Sequence, residues 1–160
     1  MTATDYCWTE SEYLQLVADG RLVNTQLIDG KIYQNVTPSH AHSLTVEKLR
    51  RAMEERFGWE YVQSEQPIRA NGFPEPDIAI LKVSKLGLTD HPTPDEIACV
   101  IEVAVSSWQF DTEVKIPVYE EVGIEAAFVV SPNGRMHLAG EDEALRQFLV
   151  SWLAENKPTE

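Results

Sequence analysis

The chain has 160 residues, of which 43% are hydrophobic and 24% charged, values of one ordinary soluble domain with enough apolar residues for a real core. Its formal net charge of -13 opposes nonspecific attraction to phosphate backbones, and its two distant cysteines, Cys7 and Cys99, exclude a disulfide framework and a zinc-type spacing. A reducing cytoplasm fits that cysteine usage. Met1-Thr-Ala-Thr-Asp-Tyr6 lacks a basic start and an apolar stretch, and no apolar run approaches the roughly 18 residues that cross a bilayer, so neither export nor membrane insertion is expected.

Taken in chain order, Thr9-Glu-Ser-Glu12 is a capping box before the apolar stripe Tyr13, Leu14, Leu16 and Val17, which predicts a short helix ending near Gly20. Gln26-Leu-Ile and Lys31 to Val36 flank Asp29-Gly30, a dipeptide suited to a type I′ turn, and predict a β-hairpin. From His42 to Phe57, Val46, Leu49, Met53 and Phe57 recur at helical spacing. Lys48, Arg50, Arg51 and Arg56 alternate there with Glu47, Glu54 and Glu55, the pattern of a solvated helix face. Strands are expected at Glu60 to Ser64 and Pro67 to Ala70.

The second half carries more apolar strands. Asp77 to Lys82 and Ile97 to Val105 read as central ones, joined by a Pro-containing connection over Leu86 to Glu96. Ala126 to Val130 is a further strand, Arg135 to Ala139 an edge strand after Pro132-Asn-Gly134, and Glu141 to Glu155 a terminal amphipathic helix. This order predicts one domain of α/β or α+β class, a mixed sheet with helices packed on it.

Three polar residues in apolar surroundings carry the chemistry. Asp77 lies in Phe73-Pro-Glu-Pro-Asp-Ile-Ala-Ile-Leu81, Glu102 in Ala98-Cys-Val-Ile-Glu-Val-Ala104, and Lys115 in Asp111-Thr-Glu-Val-Lys115. An ionised group in a buried strand is costly unless paired or bound to metal, and two carboxylates with an ammonium suffice for a metal-dependent phosphodiesterase. Residues two apart share a strand face, so Ala104 stands where a Glu-x-Lys arrangement would place its lysine. Lys115 can supply it from the following helix, which Pro117 should start or kink near Lys115. Structural readings stand beside these: Asp77 as a strand-start residue capping amides, Glu102 paired with a buried cation, Lys115 as an exposed partner of Asp111, His42 as a capping histidine, and Trp108 as a packing residue rather than a stacking platform for a base.

His91-Pro-Thr-Pro, Val100-Ile-Glu-Val-Ala104, Ser106-Ser107, Phe110-Asp111, Val114-Lys-Ile-Pro-Val-Tyr119 and Gly123-Ile124 together resemble the Uma family of bacterial restriction-endonuclease-like proteins, within the PD-(D/E)XK nuclease superfamily. Leu27 to Gly30, His42 with Leu49, Glu65-Gln-Pro67 and Pro74 to Asp77 extend the resemblance over nearly the whole chain. It implies a restriction-endonuclease-like core, with Asp77, Glu102 and the Val103 carbonyl holding Mg²⁺ or Mn²⁺ and Lys115 as the migrated catalytic lysine. It also implies a DNA substrate and a homodimer for two-strand cleavage. His42, Gln26 and Asp111 are candidate substrate-binding or assisting residues. The chain departs from the family pattern at Gln26, where that pattern has Glu, and at Val105, where an Asp commonly precedes the two serines. The competing class is a nuclease-fold module that has lost turnover and acts in binding or regulation.

Overall fold

The structure, a computed structural model, describes residues 6–158. The stretch Met1 to Asp5, part of the sequence read for targeting features, lies outside the described residues. Among the described residues no helix is long and apolar enough to cross a membrane.

The first helix, α1 (Glu10–Ala18), begins with both halves of the capping box in place between Thr9 and Glu12. β1 (Thr25–Ile28) and β2 (Lys31–Gln34) form the expected hairpin, with Asp29 and Gly30 at φ 50° and 79° as a type I′ turn requires. Helix α2 (His40–Phe57) starts two residues earlier than its periodicity suggested, because the Ser39 hydroxyl accepts the His42 N–H and so caps the helix. On its outer face Arg50 pairs with Glu54 and Arg51 with Glu47, so most of the basic group is a solvated helix face.

β3 (Val62–Ser64), β4 (Ile78–Leu81), β5 (Ile97–Val103), β6 (Ala126–Val130) and β7 (Met136–Gly140) make one five-stranded sheet in chain order. Only the β5–β6 pair is parallel, so the sheet is mixed. The strand expected at Pro67 to Ala70 does not form. Ile68 donates to the Pro74 carbonyl and Ala70 to the Gly72 carbonyl instead, and the segment buries Ile68 and Ala70 as a packed loop. Its alternating apolar residues mimic a strand because they fill the core without joining a ladder.

One face of the sheet packs on α2 and on α5 (Glu143–Glu155), through Leu49, Met53, Ile101, Phe128 and Leu149. The other face is covered by the Ile68 loop and by a helical segment made of α3 (Trp108–Phe110), a π-turn (Asp111–Lys115) and α4 (Ile116–Glu121). The helix therefore starts well before Lys115. Pro117 has no N–H and its ring would collide with the carbonyl four residues back, and the chain widens at this point so that Ile116 N–H reaches the Asp111 carbonyl.

Candidate active site

Strand alternation sends Val103 into the α2–α5 layer and Glu102 toward the α4 layer with Val100 and Ala104. Ile78 faces Ile101 across the antiparallel β4–β5 ladder, and continuing that register by one step sets Asp77 opposite Glu102. Side chains so placed have Cβ atoms about 5 Å apart. The two carboxylates thus share one side of the sheet end. A bond from Val103 N–H to Asp77 Oδ2 at 2.7 Å holds the pair together. Asp77 therefore caps an amide and belongs to the site at once.

Lys115 comes in from the π-turn above them. Its Nζ lies 2.9 Å from Glu102 Oε1, 3.0 Å from Oε2 and 3.1 Å from the Glu75 carbonyl oxygen. Only 5% of the lysine side chain and 2% of the glutamate side chain are exposed, so Lys115 is no surface partner of Asp111. The Tyr119 hydroxyl, one helical turn on, donates to Glu102 Oε1 at 2.8 Å. Burial pushes the Glu102 carboxyl up to about 8, with Lys115 opposing the shift. For Lys115, burial works to lower the pKa, and Glu102, Asp77 and Asp111 outweigh it, so the ammonium is held above its ordinary value.

Asp111 accepts the Ser107 hydroxyl at 2.7 Å and is also buried, which raises its carboxyl to about 6 against the pull of Lys115. His42 Nε2, from the first turn of α2, lies 3.3 Å from Asp77 Oδ1. That contact raises the imidazole pKa against the lowering effect of burial. Gln26 works at one remove: Oε1 accepts the Glu75 N–H at 2.7 Å and Nε2 donates to Asn35 Oδ1 at 2.6 Å, so its amide holds the segment carrying Glu75 and Asp77. Trp108 packs against the core and beneath the Arg135 guanidinium, 4.0 Å from its ring centroid.

Asp77, Glu102, Asp111, Lys115, His42 and Gln26 line a cavity of about 700 Å³ between the hairpin, the start of α2 and the π-turn. Glu65, Glu75, Asp77, Glu102 and Asp111 all face it, against the Lys115 ammonium and the His42 imidazole. Such an excess of carboxylate oxygen in a partly buried cleft is the donor set of a hard divalent cation, so these residues fit the metal that the Asp77 and Glu102 pair suggested. Glu65, Glu75 and Tyr119 had not been singled out as site residues from the sequence. Tyr119 stands four residues after Lys115 and was detectable from helical spacing, whereas Glu65 reaches the site only because Ser64 pairs with Ile78.

A family model described as "Uma2: Putative restriction endonuclease" matches residues 10–148. Comparison with curated proteins returns no match. Among solved structures, one titled as a putative nuclease belonging to DUF820 from Anabaena variabilis ATCC 29413 superposes with a TM-score of 0.63 at 14% identity, covering 91% of this chain and 98% of that one. That likeness shows a shared fold: a mixed sheet flanked by helices, restriction-endonuclease-like, which α1 and the β1–β2 hairpin precede in this chain.

Proposed function

We propose, from the premise that this chain belongs to the Uma2 family described as putative restriction endonucleases, that it is a Mg²⁺-dependent DNA endonuclease. The observation that carries this reading is the buried Lys115–Glu102 pair at 2.9 Å, with Asp77 opposite Glu102 at the mouth of an acidic cavity. Asp77, Glu102 and the Val103 carbonyl would hold the ion, which when bound polarises a phosphodiester and lowers the pKa of a water. Lys115, already charged and pinned between Glu102 and Glu75, orients the attacking water and meets the negative charge that grows on the phosphoryl oxygens. His42 sits beside Asp77 on the cavity wall, where its imidazole can contact phosphate or pass a proton. Each chain carries one such arrangement among the described residues, so cutting both strands would use two copies.

Plasmid cleavage tests the reading. Wild type with Mg²⁺ or Mn²⁺ should nick or linearise supercoiled DNA, and chelator, Asp77→Asn, Glu102→Gln or Lys115→Gln should each abolish this. A second reading, a nuclease fold acting only in binding or regulation, is favoured by the net charge of -13 and by a Glu102 whose two oxygens are already bonded to Lys115 and Tyr119. DNA left intact by wild type with either ion, on supercoiled, linear and single-stranded forms alike, would establish that second reading.

A further inference from the structure

His42, Glu65 and Asp77 come from three separate elements, the first turn of α2, the residue after β3 and the residue before β4. One ligand atom from each lies within 4.8 Å of the others, the one such group among the described residues. All three line the same cavity. We propose that they form a mixed nitrogen–oxygen cation site, in which His42 and Glu65 join Asp77 as ligands and which takes Mn²⁺ in preference to Mg²⁺. The inference rests on the nuclease reading only through the shared Asp77.

Two observations support it. First, the spacing of His42 and Asp77 suits one ion. With metal–ligand bonds of about 2.1 Å, adjacent ligand atoms lie about 3.0 Å apart in an octahedral shell and about 3.4 Å apart in a tetrahedral one. His42 Nε2 and Asp77 Oδ1 are 3.3 Å apart. Second, Asp77 is already oriented, because the Val103 N–H occupies Oδ2 and leaves Oδ1 turned to His42.

Glu65 is placed by the backbone. It takes a left-handed conformation at φ 53° and its N–H donates to the Asp77 carbonyl at 3.1 Å, which brings its carboxylate toward the other two ligands. The donor set then separates Mn²⁺ from Mg²⁺. Mg²⁺ and Ca²⁺ favour all-oxygen shells, whereas an imidazole nitrogen strengthens binding of transition-series cations, and Mn²⁺ accepts carboxylates as readily as imidazole.

The test measures Mn²⁺ and Mg²⁺ binding to the full chain by calorimetry, with the electron spin echo of bound Mn²⁺ as a second readout. Wild type should bind Mn²⁺ at least about ten-fold more tightly than Mg²⁺, and Glu65→Gln or His42→Gln should weaken Mn²⁺ binding by about the same factor. The echo of wild type should show ¹⁴N modulation from a coordinated imidazole, absent in His42→Gln. Glu65 is exposed, so Glu65→Gln and the wild-type echo carry the test if His42→Gln does not fold. Unchanged Mn²⁺ affinity in both variants, or an echo without nitrogen modulation, overturns the proposal. If Glu102→Gln alone removes binding, this site falls and the nuclease reading stands; a wild type that binds no Mn²⁺ overturns the site, while plasmid cleavage judges the nuclease reading separately.

Discussion

The Tyr119 hydroxyl donates to Glu102 Oε1 from the protein interior, on the same carboxylate that Lys115 grips with both oxygens in reach. A donor to the ionised form favours that form, so the phenol lowers the proton affinity of a carboxyl that burial raises. Tyr119→Phe should cost about 1–2 kcal/mol of stability and push the Glu102 pKa higher still. Urea unfolding and a carboxyl NMR titration read the two effects, and a phenylalanine variant identical to wild type in both would remove Tyr119 from the site.

Lys115 and Glu102 should be strongly coupled. Lys115→Met leaves a buried carboxylate without its cation and should destabilise the fold by about 3–5 kcal/mol, while adding Glu102→Gln should recover a large part of the loss. A double-mutant cycle from denaturant midpoints checks this. Additive losses would mean that the two residues do not sense each other.

Asp111 gives a pH signature with a definite sign. Its folded carboxyl titrates near 6 and its ordinary value is 3.8, so the folded chain holds this proton where the unfolded chain has released it. Stability contributed at this site therefore falls as pH rises from about 4 to 6 and stays reduced above. Asp111→Asn keeps an oxygen to accept the Ser107 hydroxyl and should be more stable than wild type by on the order of 2 kcal/mol at pH 8, with the gap closing toward pH 4. Thermal melts across that range in chelator make the measurement; a gap that widens toward acid pH contradicts the assignment.

Gly72 couples the loop before β4 to the hairpin. It sits at φ +126°, and a Cβ added there would lie 2.3 Å from the Leu27 carbonyl oxygen. Since Phe73 N–H donates to that same oxygen at 2.7 Å, the backbone has no room to shift. Gly72→Ala should cost more than about 3 kcal/mol and disturb the cavity with it, because Gln26 on β1 supports the Glu75 segment. A melting temperature within a degree or two of wild type would show that the loop gives way.

The residues that announced themselves in sequence were those whose local surroundings were anomalous. Glu102 stood out because an acid interrupts an apolar strand, and Asp29-Gly30 because only a tight turn uses that pair between alternating strands. The Ile68 loop misled because burial and strand pairing leave the same mark on composition, and only hydrogen bonding to Pro74 and Gly72 separates them. Glu65 was hidden for a different reason. Its role depends on which strand lies beside β4, a long-range choice with no local trace, and on a positive φ that glutamate seldom adopts. The Gln26 amide was noticed as a substituted acid, yet its bonds to Glu75 and Asn35 make it a brace for the neighbouring segment.

The widened turn at Asp111–Lys115 acts as a rotational adjuster. An α-helical turn takes about 3.6 residues and an i→i+5 turn about one more, so the extra residue is absorbed within the turn and the segments on either side keep the faces that regular winding would give them. Removing one residue from Thr112 to Val114 would restore that winding with Ser107 and Asp111 on one side, and Lys115 and Tyr119 on the other, still facing the cavity. Chains that keep the carboxylates can thus differ by one residue in length at this turn without changing which helical side chains face them.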